Sequence, residues 1–233
     1  MQRRMTVIIV MLTSIGGSNF DGLSWDGRAW ASGDGERVRQ FSAGFLTSKP
    51  SGDAVGAPGK IYVDASKVRI ETSDLPDSYF LIDGGVPTAY LVRPQARVFM
   101  DAKQSSQLTR LFLPLVDDDP CPQWETMAKV AGIPNQSGHW SCKAVGQETV
   151  EGRSTVKFEA TSPRGVSAGW IDTELKFPLK IKTEDGTVFA LRNIQEGPQP
   201  ADLFVVPASY KKFDPRLLIE RLKHSDVLVE PTN

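Results

Sequence analysis

From Val38 onward the chain alternates apolar and polar residues with a period of two. In Lys67-Val68-Arg69-Ile70-Glu71, Val68 and Ile70 point one way and the three charged residues the other, as in a strand with one buried and one wet face. The same alternation recurs in Thr155-Val156-Lys157-Phe158-Glu159-Ala160 and in Leu179-Lys180-Ile181-Lys182. Turn chemistry separates such runs. Asp83-Gly84-Gly85 lies between Tyr79 to Ile82 and Val86 to Val92, and Asp185-Gly186 between Leu179 to Thr183 and Val188 to Ile194. Glu151-Gly152 and Asp64-Ala65-Ser66 punctuate two further pairs, and such residues tolerate the positive φ of tight hairpins. The pattern predicts about nine or ten strands in a meander. It makes the fold mainly β with a few helices: one strongly curved antiparallel sheet, apolar on one face. There is no internal repeat.

The stretch from about 102 to 142 breaks the period. Leu108, Leu111 and Phe112 have helical spacing and Leu115 continues the stripe, but Pro114 ends such a helix near Leu113. Asp117-Asp118-Asp119-Pro120 reads as a loop and Gln123 to Ala131 as a second short helix, stopped by Gly132 and Pro134. Near the C-terminus, Asp214 as N-cap, Pro215 at the first helical position and the apolar side Leu217, Leu218 and Leu222 predict one more helix.

The N-terminus reads as an export signal. Gln2-Arg3-Arg4 is basic, Met5 to Leu12 is apolar but shorter than the ~20 residues a membrane span needs, and small residues around Gly16 and Ser18 suit cleavage. The expected organisation is a signal peptide at 1–18, a flexible leader at 19–37, and one domain over 38–233 carrying the helical insertion at about 102–142. The expected location is the periplasm. A formal net charge of -1 with 24% charged residues leaves no basic footprint for nucleic acid and no acidic tail.

Cys121 and Cys142 are an even pair in an exported chain, which favours a disulfide. Two buried free thiols, or a zinc site with His139 and His224, remain alternatives, the latter against the usual close pairing of zinc ligands. Catalytic signatures are missing. There is no nucleophile elbow and no zinc-protease helix, and Gly52 to Lys60 has the wrong spacing for a phosphate loop. His139 reads as a loop residue and His224 as a helix-end residue. Asp117 to Asp119 reads as a solvated turn or a weak cation contact. Asn135-Gln136-Ser137 matches a glycosylation sequon. Trp124, Trp140 and Trp170 are either core residues or the wall of an apolar cavity, and Trp25 and Trp30 in the leader suit a groove or a membrane surface.

Two stretches carry a family resemblance. Gly59-Lys60-Ile61-Tyr62-Val63-Asp64 followed by Lys67-Val68-Arg69 is one. The other runs through Glu151-Gly152-Arg153, Trp170-Ile171-Asp172, Phe177-Pro178-Leu179-Lys180, Leu203-Phe204 and Pro207-Ala208-Ser209-Tyr210. Together, over about 40–210, they resemble the LolA-like superfamily of outer-membrane lipoprotein-sorting proteins and their periplasmic relatives. The resemblance implies an incomplete β-barrel covered by helices, with a cavity for lipid or lipoprotein acyl chains and no cofactor. Leu108, Leu111, Phe112, Trp124 and Trp140 are then the expected ligand-facing residues. The family's latch arginine cannot be placed in this sequence: Arg69 lies on an early strand, but alternates to the wet face with Lys67 and Glu71. The other reading is an envelope protein-interaction or stress-sensing domain without lipid cargo, which engages a partner through the concavity or a strand edge. Neither reading is enzymatic.

Overall fold

The computed structural model describes residues 39–103, 106–133, 140–214, 216 and 220. The expected signal peptide and leader, the sequon, both histidines and the leucines of the expected last helix lie outside the described residues.

Twelve strands are described: β1 (Gln40–Ser48), β2 (Ala54–Asp64), β3 (Lys67–Glu71), β4 (Tyr79–Asp83), β5 (Thr88–Arg93), β6 (Val98–Asp101), β7 (Ser141–Val150), β8 (Arg153–Ser162), β9 (Gly165–Asp172), β10 (Pro178–Lys182), β11 (Val188–Glu196) and β12 (Lys211–Lys212). They form one sheet in the order β12-β6-β5-β4-β3-β2-β1-β11-β10-β9-β8-β7. Two meanders therefore meet where β1 pairs with β11, and every pairing is antiparallel except β12 with β6. The strands beyond the predicted number include the short β6 and the two-residue β12, where no period can show. The stretch from Gly52 to Lys60, weighed above as a phosphate loop, mostly belongs to β2.

Hairpin chemistry places the strands. Glu151 and Gly152, with φ of 52° and 76°, form the two-residue loop between the paired Val150 and Arg153, as a type I′ turn requires. At the β4–β5 turn the Asp83 carboxylate accepts the amide N–H groups of Gly85 and Val86 and the Ser66 hydroxyl. β5 consequently begins at Thr88 rather than at Val86, because Val86 spends its N–H on Asp83 and Pro87 has none.

The alternation becomes one core. Phe41, Ile61, Val63, Val68, Ile70, Phe80, Ile171, Leu179, Ile181 and Leu191 cluster on one side of the sheet, and each large apolar side chain fully buried stabilises the fold by about 2 kcal/mol. The helices α1 (Leu108–Leu111) and α2 (Cys121–Val130) pack into the same cluster. They also reveal the curvature. An added Cβ would lie 2.9 Å from Gln123 Nε2 at Gly84, beside β4, and 2.7 Å from Trp124 Cη2 at Gly169 in β9. In a flat sheet β4 and β9 would be six spacings, about 29 Å, apart. Two consecutive helix residues reach both because the sheet curls around α2.

The opposite face is not uniformly wet, contrary to the single apolar face expected from the pattern. Tyr79, Leu81 and Val92 form a second, small cluster with Tyr90, Phe99, Val206 and Tyr210. The C-terminal segment folds over β4–β6 there, and all of β4 except Asp83 is buried. Arg69 shares that face, its guanidinium 3.6 Å above the Tyr79 ring and bonded to Glu71.

The cysteines are joined in a disulfide with a Cα–Cα distance of 5.6 Å, tying the start of α2 to the start of β7. Their sulfurs are bonded to each other, so neither offers a thiolate to a metal. The acidic loop is divided in role. Asp119 accepts the amide of Cys121 at the first residue of α2, and Asp118 pairs with Lys176. Both helices are shifted from their expected bounds. α1 stops at Leu111 rather than near Leu113, and α2 starts two residues before Gln123 with Pro122 in its first turn, a position that needs no proline N–H. At Asp214 the expected cap forms, its carboxylate accepting the Arg216 amide.

Candidate functional site

The concave face is largely filled by its own side chains. Leu111, Phe112, Trp124 and Trp140 are all buried in the core cluster. Trp124 lies on Gly169 and donates its indole N–H to the carbonyl of Leu111, which fastens α2 to α1. Phe112 packs in tilted and edge contacts with Phe177 and Phe189.

Leu108 differs from these four: it also lines an opening of about 360 Å³, where Phe45, Val55, Leu75, Phe80 and Phe189 meet the polar Thr72, Ser73 and Asp74. Local backbone irregularity makes the opening. The β1–β2 register slips between Phe45 and Thr47, and Gly59 leaves space for the Phe45 ring, since a Cβ there would sit 2.2 Å from it. A strand that loses register splays from its neighbour, and here α1 crosses beside the gap. At another place on this face, a smaller apolar opening of about 250 Å³ is lined by Leu115, Val156, Phe158 and Ile171, with the Asp118–Lys176 pair at its rim.

α1 also carries a residue that the sequence reading passed over. Arg110 in α1 is only 5% exposed; its backbone N–H donates to the carbonyl of Gln107. Burial draws its pKa below the ordinary arginine value, the positive Arg164 adds to that, and Glu184 opposes it. Arg164 lies in the β8–β9 turn and Glu184 in the β10–β11 turn. The two turns touch, because a Cβ on Gly165 would meet Glu184 at 3.4 Å. The only sequence signal for this cluster was a charge inside an apolar helical stripe.

Trp170 lines a charged concavity rather than an apolar one. It faces away from the core, between Lys180 and Lys157 at 4.3 and 5.0 Å, and donates to Glu148 at 2.6 Å. A wide concavity of about 1220 Å³ surrounds it, but its walls mix lysines and arginine with glutamates, several of them paired, such as Arg192 with Glu151. Such walls compensate one another and leave little net attraction for a ligand. Among the described residues one margin of the sheet carries no further strand. β7 is the terminal strand, and Lys143 to Thr149 are exposed throughout.

No family model matches the chain, and no curated protein matches it in sequence. Among solved structures it is similar to one of PNGF-II, at 10% identity and a TM-score of 0.49, covering 80% of this chain and 33% of that one. It is similar to the MucA/MucB complex structure from Pseudomonas aeruginosa at 19% identity and a TM-score of 0.41, covering 75% of this chain and 58% of that one. It is also similar to a LolA superfamily protein from Nitrosomonas europaea at 10% identity and a TM-score of 0.32, covering 72% and 90%. The chain thus spans a third to somewhat over half of the first two. At such identities and TM-scores none of these likenesses bears on function. The curled antiparallel sheet that the sequence resemblance implies is present in the chain's own geometry, and among the described residues no helix is long and apolar enough to cross a membrane.

Proposed function

We propose that the protein is an exported, periplasmic binding protein that takes an apolar chain, such as a lipid or lipoprotein acyl chain, at the concave face of a half-barrel, with α1 and α2 as its cover. The observation that carries this reading is the 360 Å³ opening, which runs into the main core at Phe45, Phe80 and Leu108 and carries Thr72, Ser73 and Asp74 as a polar part of its lining. Its volume falls in the range of small-molecule sites, ~300 to 1,000 Å³. Leu108 stands at the entrance. Leu111, Phe112, Trp124 and Trp140 come into contact with a longer chain when the cover moves, the five acting as ligand-facing residues in order of depth. A one-sided sheet needs its apolar face covered by something, and a cover that can be displaced exchanges protein contacts for ligand contacts at little net cost.

Native mass spectrometry of the mature protein purified from the periplasm, with lipid extraction of the same sample, tests the reading. Bound acyl species are expected, and they should be lost in Val55→Asp and Leu75→Asp. Both positions line the opening and are only half-buried, so these variants should keep the wild-type circular dichroism. A clean apo mass, together with no uptake of added 1-dodecanol by the wild-type protein, overturns it.

The exposed β7 margin supports a second reading, an extended peptide of an envelope partner added as a further strand. It predicts slowed amide exchange along Lys143 to Thr149 when a partner is present.

A further inference from the structure

The 360 Å³ opening has two chemistries. Phe45, Phe80 and Leu108 in its lining belong to the buried core, so its inner side is apolar. Thr72, Ser73 and Asp74 come from the loop 72–78 between β3 and β4, and Ser73 and Asp74 are exposed, so its outer side is polar. A site that is apolar within and polar at the mouth suits an amphiphile.

The polar side carries one sign of charge. Among the described residues that line the opening, Asp74 alone is charged, and the other polar side chains are the hydroxyls of Thr47, Thr72, Ser73 and Ser106. No described residue bonds to the Asp74 carboxylate. Its loop holds a second acid, Asp77, and no lysine, arginine or histidine. The backbone of β2 is bare where these oxygens gather. Gly56 has a φ of 69°, and a Cβ there would sit 2.9 Å from Ser73 Oγ and 3.3 Å from Asp74 Oδ1, so both oxygens border one small space. Ser73 donates its hydroxyl hydrogen to the carbonyl of Ala57, which leaves its oxygen to accept.

That lining discriminates between head groups. An anionic head meets the carboxylate as a like charge, a hydroxyl head brings a single donor, and a primary ammonium brings a positive charge with three donors. We propose that the opening takes a single-chain amphiphile with a primary ammonium head, the head held by Asp74 and Ser73 and the alkyl chain running past Leu75 and Leu108 toward the core. This rests on the reading of the opening as a chain-binding site, and it adds the head group to the chain.

The test is calorimetric titration of the delipidated mature protein at low ionic strength with dodecylamine, dodecyltrimethylammonium, 1-dodecanol and dodecanoate, all below their aggregation concentrations. Dodecylamine should bind roughly three- to fivefold more tightly than 1-dodecanol, the modest gain that a solvent-exposed ion pair allows, and dodecanoate more weakly than either. The gain should shrink in 1 M NaCl. Asp74→Asn should abolish it while leaving the affinity for 1-dodecanol and the melting temperature unchanged, because the carboxylate is exposed. Asp77→Asn is the control. Asp77 is exposed, does not line the opening and has a φ of 58° that asparagine tolerates, so this variant should keep the full preference. Dodecyltrimethylammonium has the charge without the donors, and binding as tight as that of dodecylamine overturns the primary-ammonium assignment. Equal affinity of the wild type for dodecylamine and 1-dodecanol, or a preference that survives Asp74→Asn, overturns the head-group proposal and leaves the chain-binding site standing. Binding of no probe removes both.

Discussion

At the scale of single residues, the ion pair between Arg153 and Asp172 shows how the sheet's far half is locked. Asp172 is 1% exposed, takes a 2.5 Å bond from Arg153 Nε, and caps the following turn by accepting the amides of Glu174 and Leu175. Arg153 also reaches Glu196 across the sheet, and the Asp172 hydrogen bond, chief among its contacts, raises its pKa. Replacing the arginine leaves a buried carboxylate without its partner, so Arg153→Met should destabilise the fold by about 3 kcal/mol, read as a lower urea midpoint. Glu148 makes a second, pH-dependent contribution. The indole N–H of Trp170 and then the Lys157 ammonium hold its carboxyl below the ordinary value of 4.5. A carboxylate whose folded pKa is depressed stabilises the fold above its unfolded pKa, and loses that contribution as pH falls through the folded value. Glu148→Gln should therefore be less stable than wild type at neutral pH, with the gap closing below pH 4.5 in acid-denaturation curves. The pairings of Asp172 and Glu148 were not visible in the sequence, since their partners Arg153 and Trp170 are 19 and 22 residues away.

At the scale of elements, α2 is held from two directions. Trp124 presses on the bare backbone of Gly169, and the disulfide anchors Cys121 to β7. Gly169→Ala would place a methyl 2.7 Å from Trp124 Cη2. Trp124 is 1% exposed and has no room to retreat, so the substitution should cost about 1 to 3 kcal/mol in chemical denaturation. Opening the disulfide frees a loop with a sequence separation of 21, and Cys121→Ala with Cys142→Ala should cost about 3 kcal/mol, measured as the difference in unfolding free energy. The sequence showed these elements unevenly. The hairpin turns and the alternation of β3 were plain because both are local rules. The helix bounds slipped by two residues, because proline and an Asp119 bond to the backbone set where α2 begins. Trp170 was placed in a possible cavity wall, yet its neighbours Gly169 and Ile171 take the core side and leave it outside. Which face of a strand is the core face depends on what covers it.

At the scale of the whole molecule, the curled sheet carries the binding proposal. The five residues expected to face a ligand do come together in one core, but four of them are packed closed and only Leu108 also lines the 360 Å³ opening. The reading therefore requires the cover to move for a longer chain, and it places the entrance where β1 and β2 lose register. The period of two determined the antiparallel sheet and the turn dipeptides its hairpins, because these depend on neighbours within a few residues, while the even cysteine count favoured the disulfide that the structure contains. The meeting of β1 with β11, the second cluster over β4–β6 and the filled state of the concave face were decided only in three dimensions. Each depends on residues brought together from distant parts of the chain, where packing and desolvation, not local pattern, choose the arrangement.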